Sequence, residues 1–146
     1  MMSKKARHKA RIFSIQALYQ WHFNLSPAHT LIAEFQSRND YHQYVDWERF
    51  AHVIQSFILE QNSIDEAIIT AAARPLKEIN PMELAILRSA STELKQCFDV
   101  PYQVVLSEYV DLTQEFGAES GHQFINAVLD RLSKHYRPLE QGASST

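Results

Sequence analysis

Along most of the chain, apolar residues return every three or four positions, the spacing that puts side chains on one face of an α-helix. Near the amino end Ala6, Ala10, Phe13, Ala17 and Trp21 form one stripe, and Ile12, Ile15 and Tyr19 build a second apolar face opposite. Val105, Tyr109, Leu112 and Phe116 form a later stripe, and Ile125, Val128, Leu129 and Leu132 another. The short runs AIIT and QVVL sit inside helical frames, and no segment alternates convincingly between apolar and polar positions with turn dipeptides at its ends. The pattern predicts an all-α fold.

Punctuation sets the helix ends. Ser3 is placed to cap a first helix reaching about Asn24, and Ser26 as N-cap with Pro27 at N1 opens a second reaching about Ser37. Residues 37–46 read as a loop that ends at Asp46, a cap for WERFAHVIQSFILEQ. Asn62 reads as a break, after which Ser63 and Glu66 have capping-box spacing and start a helix through Ala71–Ala73. Asn80, Pro81 and Glu83 stand at N-cap, N1 and N3 of the clearest helix start in the chain. Val100 and Pro101 open the next helix, which stops at Gly117; the last runs from near Ser120 to Arg137-Pro138. About seven helices result, in one domain. Residues 1–62 are expected as an amino-terminal subdomain, 63–137 as a carboxy-terminal one, and 138–146 as a flexible tail.

Charge changes this picture at one end. Residues 4–11 read KKARHKAR, and residues 1–33 carry five cations and no carboxylate, whereas the rest of the chain carries nine cations against seventeen carboxylates. The first helix is thus expected to be buried at its far end and cationic at its first two turns, with Arg7 and Arg11 as like charges at i,i+4 and two lysines beside the positive end of the helix dipole. Such an end is either a solvated, frayed terminus or a phosphate-binding element, since lysines meet phosphates as point charges and arginines fork onto two oxygens. Among the aromatics that follow in YQWHF, Tyr19 is a better stacking candidate than Trp21, which lies on the core stripe.

Composition narrows the chemistry. The single cysteine, Cys97, excludes an intramolecular disulfide framework and fits a reducing compartment. No apolar run approaches the roughly 20 residues that cross a bilayer, so the expected location is the cytoplasm, without a membrane partner. Gly117, Gly121 and Gly142 are the only glycines, and they are not clustered as phosphate-cradling loops or nucleophile elbows require. Glu119 and His122 have E-x-x-H spacing, but carboxylate-bridged metal bundles need two such copies and further glutamates. No catalytic residue, metal site or cofactor is expected.

Four segments occur in order: RHKARIFSIQALYQW (7–21), PMELAILRSASTEL (81–94), VPYQVVLSEYVDLTQEFGAE (100–119) and HQFINAVLDRL (122–132). Together they resemble the NusB family of transcription antitermination factors over nearly the whole chain. The resemblance implies two roughly perpendicular three-helix bundles plus an extra helix, and a role that is not catalytic. It further implies pairing with NusE, a small-subunit ribosomal protein, and binding of the pair to single-stranded boxA RNA in nascent transcripts. That event seeds an antitermination complex with other Nus factors on RNA polymerase, particularly on ribosomal RNA operons. The RNA-contacting element would be Lys4, Lys5, Arg7, His8, Lys9 and Arg11. If all five of its lysines and arginines touch phosphates, log affinity should fall with log salt at a slope of about −3.5.

On the same resemblance the NusE surface would include Glu83, Phe116, Phe124, Asn126 and Asp130. Each has a structural reading beside it. Glu83 is also the N3 residue of a capping box, Phe116 ends a core stripe, and Asn126 and Asp130 lie i,i+4 on a polar face; Phe124 sits beside a core stripe at a helix start, where an aromatic can anchor a partner. The sequence departs from the family in its lysine-rich start, in Ser120-Gly121, in Ser107 and in Ala127. Family members occur as monomers and as homodimers, and similar folds precede RNA methyltransferase domains, so a stand-alone module assisting an RNA-modifying enzyme is the alternative reading.

Overall fold

The structure, a computed structural model, describes residues 3–39, 44–116 and 121–144, and all regular structure among them is helical. The order is α1 (Lys4–Asn24), α2 (Ala28–Arg38), α3 (Trp47–Leu59), α4 (Gln61–Ala72), a 3-10 turn (Leu76–Glu78), α5 (Pro81–Gln96), α6 (Tyr102–Glu115), α7 (His122–Tyr136) and α8 (Pro138–Ser144). Three caps match their sequence signals: Ser3 accepts from the Ala6 amide, Asp46 from Arg49, and Asn80 from Met82 and Glu83. Each satisfies amides that have no partner inside their own helix.

Other signals did not act as expected. Pro27, not Ser26, is the N-cap of α2. Ser63 caps nothing; its Oγ donates to the Glu60 carbonyl from inside α4, because Glu60 alone separates α3 from α4 and the Ile64 amide already bonds back to it. The stretch from Pro138, expected as a flexible tail, folds through Ser144 as α8, an eighth α-helix. Its Glu140 pairs with Arg137 at 2.6 Å and accepts from the Tyr102 amide.

α5 is the central rod. Every residue from Leu84 to Leu94 is buried, and α1, α3, α4, α6 and α7 all pack on it. α1, α2 and α3 pack on one another, and α7 packs on both α4 and α6. A single apolar cluster runs through both sets, from Phe13, Trp21, Phe35, Phe50 and Phe57 to Tyr109, Ile125 and Leu129. Among the described residues no helix is long and apolar enough to cross a membrane, and no cluster of metal-ligating side chains occurs.

Candidate nucleic-acid interface

The amino end of α1 does not stand clear of the body. Ala6 and Ala10 are buried, so the helix is packed from its first turn, where the Ala6 carbonyl accepts from the Asp46 amide at the start of α3. Small side chains permit that approach. The predicted row of exposed cations is therefore divided. Lys4 and Lys5 are exposed and Lys9 partly so, and none pairs with a carboxylate among the described residues. Arg7 lies 3.3 Å from Asp99 and 3.9 Å from Asp46, and His8 sits between Glu108 (3.1 Å) and Glu115 (3.8 Å).

Arg11 corrects the sequence reading most sharply. It is 5 % exposed, and its guanidinium donates to both carboxylate oxygens of Glu93, with the shortest bond at 2.7 Å and Glu108 3.6 Å away. Burial alone would make the guanidinium easier to deprotonate, but the hydrogen bond and charge of Glu93 reverse this and hold Arg11 firmly cationic. Glu93 also faces the buried Tyr109 phenol, which bonds Ser89 at 2.8 Å and is kept protonated by burial first and by the Glu93 charge next. The pair joins α1 to α5. Arg11 is committed to the interior and is not a surface contact, Arg7 is partly neutralised, and His8 faces two carboxylates.

Further along α1, from Gln16 onward, an open groove of about 520 Å³ lies against α2, lined by Gln16, Tyr19, Gln20, Phe23 and Arg38 among others. Tyr19 is 37 % exposed and meets the more exposed Phe23 edge to face at 5.2 Å. The Tyr19 ring is thus accessible, as a stacking role requires, whereas Trp21 is buried against Phe57.

A second assembly lies at the junction of α5 and α7. Glu83, at the third position of α5, does not turn back to Asn80 as a capping box would have it; its carboxylate lies over Gly121, where an added Cβ would sit 1.6 Å from Oε2. Burial there raises the Glu83 pKa, opposed by the charge of Arg74. The Arg74 guanidinium stacks over the Phe124 ring at 4.0 Å. Glu83, Arg74 and Phe124 thus form one half-exposed charged and aromatic group. Sequence reasoning missed Arg74, which stands in the loop after α4 with no pattern to mark it.

Asn126 lies one turn from His122, and their side chains meet at 3.3 Å. Asp130 is a turn further on, exposed and paired with Lys134 at 3.2 Å. Phe116, at the end of α6, packs partly buried against the common core. Glu119 and Ser120 lie outside the described residues, and so does the E-x-x-H pair through Glu119. Cys97 is buried.

The sequence matches the NusB family over residues 8–134. It is 40% identical over 139 residues to the transcription antitermination protein NusB of Teredinibacter turnerae, covering 94% of each chain. It is also 40% identical to the protein of that name from Colwellia psychrerythraea, covering 95% of this chain and all of the relative. The fold superposes on NusB of T. maritima with a TM-score of 0.81 at 23% identity, over 98% of this chain and 99% of the other.

Proposed function

The chain belongs to the NusB family, and from that premise we propose that it is a non-catalytic transcription antitermination factor which, with NusE, binds the boxA element of nascent RNA, above all in ribosomal RNA operons. Lys4, Lys5 and Lys9 meet the phosphates, with Arg7 and His8 beside them. The observation that carries this is their placement: three lysines without a carboxylate partner among the described residues, on a helix packed from its first turn. Fixed point charges gain affinity by releasing counterions from a polyanion. Tyr19 offers a ring to an adjoining base. NusE docks on the α5–α7 junction through Glu83 and Phe124, with Phe116, Asn126 and Asp130 around them. The complex with RNA polymerase forms on that pair.

RNA titration over a range of salt tests this reading. Three phosphate contacts give a slope of about −2 for log affinity against log salt. Replacing Lys4, Lys5 and Lys9 together with glutamine should flatten the slope by about that amount without unfolding the chain. An unchanged slope refutes the location. NusE should tighten RNA binding, and RNA must then tighten NusE by the same factor.

A further inference from the structure

Two arginines from different helices converge on one oxygen of Asp99. Arg7 of α1 reaches Asp99 Oδ2 at 3.3 Å, and Arg49 of α3 forms a tight ion pair with the same atom. Both are held in place. Asp46 caps α3 through the Arg49 amide, its own amide bonds Ala6, and its carboxylate stands 3.9 Å from Arg7. Asp99 sits in the loop between α5 and α6 with its side chain about half exposed, so solvent reaches it where the two arginines do not cover it. Two guanidinium forks around one anionic oxygen are the arrangement that recognises a phosphate.

We propose that Arg7 and Arg49 form a second phosphate site, for a phosphodiester of the bound single-stranded RNA, which Asp99 occupies in the free chain. The inference rests on the RNA-binding reading above and extends its path from α1 onto α3. A groove of about 850 Å³ adjoins the pair, and His52 and Gln55 follow Arg49 along the same side of α3 as further donors. The groove holds Arg7 and Arg49 against Asp46, Glu48 and Asp99, so its charge is net negative while Asp99 is seated. A phosphate therefore enters by replacing that carboxylate, not by adding to it. The Arg7 Nε is buried and faces Asp46 at 3.9 Å, which leaves the terminal nitrogens to meet the phosphate.

The test is titration of single-stranded boxA-like RNA against the full chain at several salt concentrations. Asp99→Asn should tighten binding about three- to tenfold, because the phosphate then has no carboxylate to displace from the two guanidinium groups. Arg49→Gln should weaken wild-type binding about threefold, and added to Asp99→Asn it should cancel the gain. Arg49→Lys keeps the charge and loses the fork, and should recover only part of the affinity lost in Arg49→Gln; it serves as the check if Arg49→Gln folds poorly. A gain from Asp99→Asn that survives Arg49→Gln is a general charge effect and overturns the site. So does indifference to all these variants while the lysine replacements still flatten the slope, a result that leaves the first reading standing. Indifference to the lysines as well removes both.

Discussion

Arg11 shows what a sequence can and cannot say about one side chain. Its place in a basic run marks it as a surface cation, and nothing local contradicts that. The contrary signal lies eighty-two residues away, in Glu93: a carboxylate inside the buried stretch of α5 requires a partner, because an unpaired charge in an apolar interior costs several kcal/mol. Removing one member of such a pair strands the other. Arg11→Ala should therefore lose about 3–5 kcal/mol in urea denaturation, far beyond the effect of replacing exposed Lys4 or Lys5. Glu83 teaches the converse. Its capping spacing was legible and Asn80 does cap, but the carboxylate goes to Gly121, where the missing Cβ leaves room that no spacing rule reveals.

Among whole helices, those with both a stripe and a cap were readable, and α1, α3 and α5 begin where Ser3, Asp46 and Asn80 place them. The carboxy-terminal stretch was misread because LEQGASST has neither stripe nor cap; α8 is seated by Arg137, a contact across the fold. That guanidinium is buried and donates to the carbonyls of Leu94 (2.6 Å), Cys97 (2.9 Å) and Val100 (3.0 Å), which finish α5 and lead into α6. Arg137→Ala removes the donor from the Leu94 and Val100 carbonyls, while the Cys97 carbonyl keeps the Val100 amide, and should cost about 2 kcal/mol or more. Deleting residues 138–146 keeps those bonds and loses chiefly the pair with Glu140, and should cost about 1 kcal/mol. Thermal unfolding of the two variants separates the roles.

At the scale of the molecule, the all-helical class and the family were legible because they rest on periodicity and on motifs spread along the chain. The charged seams between helices were not, since ion pairing depends on which elements meet. One seam holds four helices together. Arg88 of α5 bonds Asp65 of α4 through two nitrogens at 3.0 Å, meets His22 of α1 at 3.1 Å, and lies 5.3 Å from the rings of Trp21 and of Phe57 in α3. Burial, then the Arg88 charge, lowers the pKa of His22 below its ordinary 6.5. As pH falls below that value the unfolded chain takes up a proton that the folded chain refuses, so the site's stability is intact above it and declines beneath it, levelling off below the folded pKa. His22→Gln keeps an acceptor for Arg88 and should flatten that part of the decline, measured as denaturation midpoints at about pH 7.5 and 5.5.

If the leading turns grip RNA as proposed, the bond between Arg11 and Glu93 also bears on how fast a transcript is caught. Because the leading turns are fastened when the polypeptide first folds, the entropic loss of ordering them is not repeated at each encounter. On that reading the first contacts, made by the lysines, need no ordering of the helix, and their rate is set by diffusion and by the reach of the lysines' electric field.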